Sequence, residues 1–290
     1  MKVIVTGAAG LVGLATVATF AAKGDAVIGL THDDLDIGDD SAVRQTLDPQ
    51  RPDLVVNCAA WTDVDGCEAD QERAFRVNEF GPGLLALACR RLEAQLITIS
   101  TDYVFDGTKA GFYTQRDQPN PQSVYGLSKL EGERRAQRDW ARTIVVRSGY
   151  VFGEGGTNFL STFVDSARAG KPLKAIADTF GTPTYAPHLA ERLFQLAQLD
   201  LPGVYHAVNA GDGVSFAGFV ESALEMAGLD GALLERISMD SLRRPAPRPR
   251  NSRLRCLLSP ALGLPEMPAW EKALREHVAR TGKASQSQTL

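Results

Sequence analysis

The sequence predicts an α/β fold, a doubly wound parallel sheet with helices on both faces and a smaller C-terminal lobe. Short apolar runs alternate with helical patterns through the first half of the chain, as right-handed β-α-β crossovers require. A glycine-rich turn directly follows the first apolar run, and proline and glycine become denser where the alternation ends. The 290 residues suffice for one large or two modest domains.

The predicted strands are short and rich in β-branched residues, which is typical of buried parallel strands. They cover residues 2–6, 26–30, 54–57, 96–100 and 143–147. Helical patterns occur at residues 11–23, 41–47, 70–92 and 123–140. A strand at 171–177, a helix at 187–198 and a strand at 203–208 are then expected to return to the same sheet.

This order divides the chain into two predicted domains and a tail. Residues 1–149 and about 173–209 form the sheet domain, and residues about 150–172 and 210–280 form the smaller lobe, which we expect to bind substrate. Residues 281–290 are polar and lack a capping residue, so we expect them to be disordered.

Composition narrows the class of protein. Hydrophobic residues make up 44% and charged residues 23% of the sequence, which is typical of a globular protein. A net charge of −4 and a pI near 5.7 argue against electrostatic nucleic-acid binding. The cysteines at positions 58, 67, 89 and 256 lack the Cys-x-x-Cys spacing of zinc or redox sites. We therefore expect reduced thiols, no metal site and a cytoplasmic location.

The uncharged residues 3–22 have two interpretations. Lys2 precedes this stretch and Lys23 follows it, as in a signal peptide or a membrane helix. However, the stretch contains three glycines and three threonines, and its apolar character breaks at Gly7. We therefore predict a buried strand followed by a helix, with no membrane segment.

The turn after the first strand reads Gly7-Ala8-Ala9-Gly10-Leu11-Val12-Gly13 and opens the first helix. Gly7 permits a tight turn, Gly10 lets a pyrophosphate approach the backbone, and Gly13 lets the helix pack on the strand. The helix N-terminus supplies oriented N–H groups for the phosphates. This context predicts a Rossmann-type dinucleotide site. No acidic residue or arginine stands at the end of the second strand, so NADPH and NADH both stay open as cofactors.

Tyr125 and Lys129 are four residues apart, so a helix places both side chains on one face. The pKa of free tyrosine is about 10, and an adjacent lysine cation is expected to depress it enough for proton transfer near neutral pH. Thr101 ends a predicted strand, at the sheet edge where open α/β folds carry their active sites. The three residues predict reduction of a ketone by hydride, completed by a proton from Tyr125.

These residues resemble the dTDP-4-dehydrorhamnose reductase family, a branch of the extended short-chain dehydrogenases/reductases. The resemblance covers about residues 1–280, and its most specific stretches are residues 100–107 and Arg248-Pro249-Arg250-Asn251-Ser252-Arg253-Leu254. It implies NAD(P)H-dependent reduction of the 4-keto group of dTDP-4-dehydro-L-rhamnose to dTDP-L-rhamnose, a step of nucleotide-sugar and polysaccharide biosynthesis. The dTDP-sugar is the implied partner, and a homodimer is compatible with it.

The resemblance also implies roles by position. Thr101, Tyr125 and Lys129 match the catalytic trio, and Thr101, Asp102 and Tyr150 match positions that contact the sugar. The positions matched to the cofactor are Gly7, Gly10, Leu11, Val12 and Gly13 at the pyrophosphate, Asp36 and Ile37 at the adenine, and Ala59, Ala60, Trp61, Tyr125 and Lys129 in the nicotinamide half. Asn78 matches a helix asparagine of the family, although a buried asparagine that hydrogen-bonds its own backbone is an equal interpretation.

One departure leaves the preferred sugar open. The family usually has Ser-Trp-Val-Tyr where this chain has Gly149-Tyr150-Val151-Phe152. Tyr150 is still an aromatic platform for a sugar, but its hydroxyl could alter which hexose is preferred. The arginines between residues 243 and 255 are expected to be either a diphosphate clamp or a solvated loop.

Three other functions stay open as alternatives. They are a nucleotide-sugar epimerase, another 4-ketohexose reductase, and a non-catalytic, dinucleotide-binding regulatory subunit. A 4,6-dehydratase is disfavoured: the dehydratases that resemble this chain place Asp-Glu after the threonine, because elimination needs an acid and a base, and Tyr103 follows Asp102 here.

Overall fold

The computed structural model describes residues 1–155 and 159–287. Its strands are β1 Lys2–Thr6, β2 Ala26–Leu30, β3 Leu54–Asn57, β4 Gln95–Thr101, β5 Thr143–Ser148, β6 Val151–Phe152, β7 Leu173–Ile176, β8 Phe180–Gly181, β9 Thr184–Tyr185, β10 Gly203–His206, β11 Val214–Ser215 and β12 Leu234–Ile237. Its α-helices are α1 Leu11–Ala22, α2 Asp40–Leu47, α3 Val64–Ala69, α4 Gln71–Phe75, α5 Gly81–Leu92, α6 Val124–Asp139, α7 Phe159–Arg168, α8 Ala186–Leu199, α9 Phe216–Met226, α10 Leu258–Ala261 and α11 Trp270–Ser287.

A six-stranded parallel sheet forms the centre of the molecule, in the order β2-β1-β3-β4-β5-β10. The strand order reverses at β1, where β2 lies on one side and β3 on the other. Such a reversal opens a crevice at the carboxyl ends of the strands, where α/β sheets bind ligands. The predicted Rossmann-type sheet is therefore confirmed, with its five N-terminal strands within one residue of the expected bounds.

Alternation along the strands sends apolar side chains to both faces of the sheet. Val3 and Val5 pack on one face with Phe20 of α1 and Leu193 of α8. Ile4 points to the other face, where α2, α5 and α6 cover it. Because helices cover both faces, the inner strands β1, β3 and β5 are almost entirely buried, which explains why they read as continuous apolar runs.

The prediction that residues 171–177 return to the central sheet is wrong. Strand β7 pairs with β12 in a separate two-stranded parallel sheet. The edge of β5 is already paired by β10, as predicted for that strand, so the central sheet has no edge for β7 there. Instead, Leu173 and Ala175 are buried against Val220 and Leu224 of α9. The two-domain boundaries stay a prediction, but β7 packs with the smaller lobe.

Two helices differ from their predicted bounds. The predicted helix at 70–92 is interrupted by a π-helical turn, Arg76–Phe80, which carries the buried Asn78. Helix α11 continues to Ser287, so the predicted disorder is wrong for residues 281–287; residues 288–290 lie outside the described residues. The Thr281 hydroxyl donates to the His277 carbonyl oxygen at 3.1 Å, and no proline stops the helix before Ser287.

Candidate active site

The glycine-rich turn joins β1 to α1 with a backbone that requires glycine. Gly7 has a φ of +67°, and a Cβ there would lie 2.7 Å from the backbone nitrogen of Ala59. A Cβ on Gly13 would lie 2.1 Å from the carbonyl oxygen of Gly7, so α1 packs directly on the turn. Gly10 precedes α1 and provides no side-chain cap. The turn is thus a backbone cradle whose shape fits a pyrophosphate.

This cradle opens into a cleft of about 730 Å³. Gly10, Leu11, Val12 and Gly13 line one part of the cleft, and the predicted catalytic and sugar-contacting residues line another, namely Thr101, Asp102, Tyr125, Lys129 and Tyr150. Parallel strands β1, β4 and β5 end beside it. Residues that are far apart in the sequence therefore share one cavity, at the crevice position that the strand order creates.

Thr101 and Tyr125 form the centre of the cleft. Thr101 is the last residue of β4, and its hydroxyl lies near the phenol of Tyr125 on α6 in the same cleft. Burial raises the pKa of Tyr125 above its ordinary value, while the Thr101 hydroxyl lowers it. The expected net depression of this pKa is therefore wrong, because the loss of solvation outweighs the effect of nearby groups. The phenol is protonated throughout the neutral range, as a proton donor must be.

Lys129 lies on the same face of α6 as Tyr125, as their spacing predicts. Its side chain is 4% exposed, and its Nζ donates to the carbonyl oxygen of Ile99 at 2.8 Å. Burial lowers the pKa of Lys129 to about 8, whereas the Glu133 carboxylate raises it. The ammonium is therefore the main form at neutral pH, although a shift to pH 8 halves it.

Asp102 is a buried carboxyl group at the end of β4. Its Oδ1 accepts from the Thr101 hydroxyl at 3.1 Å, and its Oδ2 has no hydrogen-bond partner in the described part of the chain. Burial raises the pKa of Asp102 to about 6, although the hydroxyls of Ser252 and Thr101 lower it. A Cβ on Gly149 would lie 2.5 Å from Oδ2. Glycine at position 149, where the family usually has serine, leaves room for this carboxylate.

Tyr150 has a strained backbone and a well-supported ring. Its φ of +45° is uncommon for a bulky residue, and such strain is concentrated at functional sites. Its ring packs edge-on against Phe216, and a Cβ on Gly181 would lie 2.5 Å from the ring. Its hydroxyl lies near the Thr179 side chain, which opposes the rise in the pKa of Tyr150 that burial causes. The smaller lobe therefore holds this aromatic side chain at the cleft.

The loop after β3 is fixed by Asn78. The amide of Asn78 accepts from the Trp61 backbone nitrogen at 2.8 Å and donates to the Trp61 carbonyl oxygen at 3.0 Å. It also donates to the Ser128 hydroxyl at 3.2 Å. Asn78 therefore hydrogen-bonds a distant backbone and ties this loop to α6. Ala60 lines the cleft, whereas Gly7, Ala59 and Trp61 are outside its lining.

The two residues expected at the adenine have other partners. The Asp36 carboxylate accepts from Arg76 Nη1 at 2.6 Å and from the Gly38 backbone nitrogen at 2.9 Å. Ile37 is 3% exposed and packs in the core beneath α5. Neither side chain lines the cleft. A contact between these residues and adenine therefore stays a prediction.

The C-terminal arginines are divided by the structure. Arg244 and Arg248 line the cleft, and Arg248 makes a bidentate pair with Asp65 at 2.6 and 2.7 Å. Arg244 has no carboxylate partner within salt-bridge distance in residues 1–155 and 159–287. The expected arginines that do not line the cleft are Arg243, Arg250, Arg253 and Arg255.

The sequence analysis missed a buried ion pair next to the catalytic residues. Arg147 and Glu133 are 5% and 3% exposed, and their Nη2 and Oε2 atoms are 2.6 Å apart. The Ser100 hydroxyl donates to the same carboxylate. Glu133 follows Lys129 by four residues on α6, so its helical spacing is a signal that could have identified it. Thr179 and Ser252, which also line the cleft, carry no such signal.

Residues 1–155 and 159–287 contain neither a metal-binding group of side chains nor a membrane-spanning helix. No group of three or more histidine, cysteine, aspartate or glutamate side chains there is arranged to hold a metal ion. Among the helices of residues 1–155 and 159–287, none has the length and apolar character needed to cross a membrane.

Known proteins are similar to this chain in sequence and in architecture. The chain matches the RmlD substrate binding domain family over residues 1–282. A dTDP-4-dehydrorhamnose reductase from Mycolicibacterium smegmatis is 37% identical over 281 residues, covering 96% of this chain and 85% of that protein. A crystal structure of a dTDP-4-dehydrorhamnose reductase from Clostridium acetobutylicum has a TM-score of 0.93 and 32% identity, covering 97% of this chain and 100% of that one.

A second solved structure concerns the cofactor. The dTDP-4-dehydrorhamnose reductase from Bacillus anthracis, in complex with NADP, has a TM-score of 0.93 and 29% identity, covering 96% of this chain and 99% of that one. These matches extend over both the central sheet and the smaller lobe. The chain therefore belongs to the RmlD substrate binding domain family, the family of the dTDP-4-dehydrorhamnose reductases.

Proposed function

We propose that this protein reduces the 4-keto group of dTDP-4-dehydro-L-rhamnose to the alcohol of dTDP-L-rhamnose, with NADPH or NADH as reductant. The observation that carries the proposal is that Thr101, Tyr125 and Lys129 line one cleft together with the glycine cradle. A ketone reductase needs a dinucleotide site next to a proton donor and a group that orients the carbonyl. The names of the relatives, one of them solved with NADP, support both the reaction and the cofactor.

The cleft is suited to a dinucleotide because its cradle exposes backbone at glycines where a side chain would not fit. Gly7, Gly10, Leu11, Val12 and Gly13 would hold the pyrophosphate. Ala59, Ala60 and Trp61 would lie along the nicotinamide half, and Asp36 and Ile37 near the adenine. When bound, the nicotinamide supplies a hydride to C4 of the sugar.

The catalytic residues then handle the carbonyl oxygen. Thr101 and Tyr125 hydrogen-bond that oxygen and so orient the ketone. Tyr125 transfers its phenol proton to the oxygen as negative charge develops there, and its raised pKa keeps it protonated until that moment. The Lys129 ammonium would stabilise the negative charge left on Tyr125, and it would be the group that holds the nicotinamide ribose when the cofactor is bound.

The sugar nucleotide would lie against the smaller lobe. The free Oδ2 of Asp102 is suited to accept a hydrogen bond from a sugar hydroxyl, and the Tyr150 ring provides an apolar platform. Arg244, which lacks a carboxylate partner in the described residues, would bind the diphosphate. We propose that the sheet domain binds cofactor and that the smaller lobe, with β7 included, binds substrate.

The test follows NADPH absorbance with dTDP-4-dehydro-L-rhamnose generated in situ, repeated with NADH. Steady oxidation with formation of dTDP-L-rhamnose supports the proposal, and the ratio of the two rates gives the cofactor preference. If the protein binds cofactor but oxidises none of it, another keto sugar or a regulatory role takes the place of this reaction. Interconversion of sugar epimers without net oxidation identifies an epimerase.

The remaining expectations concern assembly and location. We propose a homodimer acting in the cytoplasm, where NADPH is supplied. The side chains of Phe80 and Leu127 are 42% and 39% exposed, and we propose them as contacts with the second copy. Light scattering after size-exclusion chromatography tests this, and a mass near 31.2 kDa would exclude the dimer.

A further inference from the structure

Three polar side chains form a buried network beside the catalytic residues. Arg147 donates to both oxygens of Glu133, with Nε–Oε1 at 2.9 Å and Nη2–Oε2 at 2.6 Å. The Ser100 hydroxyl donates to Oε1 of the same carboxylate. Each of the three residues is at most 6% exposed. A buried ion pair is not needed for stability alone, since apolar residues of similar size often stabilise a fold equally well.

The network joins the three elements that carry the active site. Ser100 directly precedes Thr101 on β4, and it is in register with Arg147 on β5. Glu133 lies one helical turn beyond Lys129 on α6. Arg147 in turn precedes the segment that leads to Tyr150. The Glu133 carboxylate, carried by α6, is therefore hydrogen-bonded to residues of both β4 and β5.

The charges around Lys129 give Glu133 a second effect. Lys129 belongs to α6, and its side chain lies at the ends of β3 and β4. The groups on these elements are Tyr125 and Glu133 on α6, Cys58 after β3, the Ile99 carbonyl on β4, and Asp102 beyond β4. Burial raises the pKa of the Cys58 thiol to about 12 and also raises the pKa of Tyr125, so both groups are neutral at pH 7.

Glu133 is thus the anion that opposes the desolvation of Lys129. Arg147, the neighbouring cation on β5, holds the carboxylate in its ionised form and in one orientation. We propose that Glu133, fixed by Arg147 and Ser100, is a positioning residue that keeps the Lys129 ammonium charged inside the buried site. Its effect on turnover rests on the proposed function, whereas its effect on the charge of Lys129 does not.

The direct test measures the titration of Lys129 by NMR in protein labelled at lysine Cε, with the signal assigned by Lys129→Arg. Glu133→Gln keeps the size of the side chain and removes its charge, and we expect the pKa of Lys129 to fall by about one unit. Glu131→Gln is the matched control, because the same change occurs two positions earlier on α6, in a residue that pairs with Arg134 at the surface. It should leave the titration unchanged, and Glu133→Asp should restore most of it.

The second readout is the pH dependence of kcat/KM. The basic limb of the profile should move to lower pH in Glu133→Gln by the same amount as the NMR titration, which a merely structural role would not produce. If the single variant does not fold because Arg147 loses its partner, the neutral pair Glu133→Gln with Arg147→Gln replaces it. Because that variant also loses the Arg147 cation, which opposes the effect of the Glu133 carboxylate on Lys129, its Lys129 pKa should fall by less than in Glu133→Gln.

The outcomes separate this inference from the proposed function. A Lys129 titration that is equal in wild type, Glu133→Gln and the paired variant overturns the inference. A wild-type protein that oxidises no NADPH with any keto sugar overturns the proposed function, and the NMR comparison still decides the role of Glu133. A normal titration shift with an unmoved pH profile would show that Lys129 is not the group that limits turnover.

Discussion

The two ends of the cleft are built to bind their ligands by different means. At the proposed cofactor end, the turn from Gly7 to Gly13 supplies mainly backbone, because Gly7 and Gly13 leave no space for side chains. At the substrate end, side chains converge from separate segments, including Asp102, Tyr150 and Arg244. Backbone N–H groups recognise the phosphates that all dinucleotides share. Specific placement of polar and aromatic side chains instead distinguishes one sugar from another.

This difference has an energetic side. The cofactor end contains neutral backbone whose hydrogen bonds continue into α1. The chemical centre and the substrate end contain buried titratable groups whose pKa values are displaced by the loss of solvation. We therefore expect the titratable groups at the chemical centre to lower the free energy of unfolding, and the neutral backbone at the proposed cofactor end to have no such cost. The following changes test that contrast.

Tyr125→Phe should have the largest effect. Removing the phenol proton donor is expected to lower kcat/KM by about 10³-fold, with little change in NADPH binding, because the ring and its packing are kept. Steady-state kinetics and a fluorescence titration with NADPH measure the two quantities. Tyr205→Phe is the matched control, since that hydroxyl donates to the Leu201 carbonyl oxygen at 3.0 Å and lies outside the cleft lining. Turnover within a few-fold of wild type in Tyr125→Phe would exclude the proton-donor role.

Gly13→Ala should act at the opposite end. The added Cβ would stand 2.1 Å from the Gly7 carbonyl oxygen, so the cradle must move. Strain of this kind corresponds to a weakening of NADPH binding by about 10- to 100-fold, together with a lower melting temperature. Gly111→Ala, where a Cβ meets open space, should change neither measurement. Equal NADPH affinities in the two variants would show that the cradle is not the binding site.

Asp102→Asn should stabilise the fold while it impairs turnover. Folding raises the pKa of Asp102 from its ordinary value to about 6, so the folded state holds the proton more tightly. Stability is therefore lost as pH rises from about 4 to about 6, and the neutral amide avoids a cost of about 1–3 kcal/mol at pH 7. Thermal melts at pH 4 and pH 7 measure this. Asp106→Asn is the contrasting control and should lower stability at pH 7, because hydrogen bonds from Thr108 and Tyr113 hold the pKa of Asp106 at about 2. A destabilised Asp102→Asn at pH 7 would contradict the contrast drawn between the two ends.

Tyr150→Ala should have the smallest effect. Loss of the aromatic platform is expected to raise KM for the sugar nucleotide by about 3- to 10-fold and to change kcat less. Tyr150→Phe keeps the ring and removes only the hydroxyl that meets Thr179, so its KM should stay near wild type for the preferred sugar. An unchanged KM in Tyr150→Ala would make this residue part of the packing alone.

Features that depend on residues close together in the sequence were predicted better than features that depend on contacts between distant segments. The five N-terminal strands and the Tyr125–Lys129 pair were predicted well, because their signals are periodic and local. The placement of β7 was not, since its apolar run is equally suited to either sheet and only the edge occupied by β10 excludes it from the larger one. The π-helical turn at Arg76–Phe80 was also missed, because it depends on the contacts of Asn78 with Trp61 and Ser128.

The sequence by itself indicated the strands of the parallel sheet, the glycine-rich turn and the proposed proton donor, since each signal is a local pattern of neighbouring residues or residues one helical turn apart. Only the tertiary structure decided the protonation of these groups. The pKa of Tyr125 is raised rather than lowered, and Lys129 depends on Glu133, because burial and charge partners come from strands and helices that meet only in the folded chain. Desolvation is a property of the whole packed molecule, and for that reason no local motif predicts it.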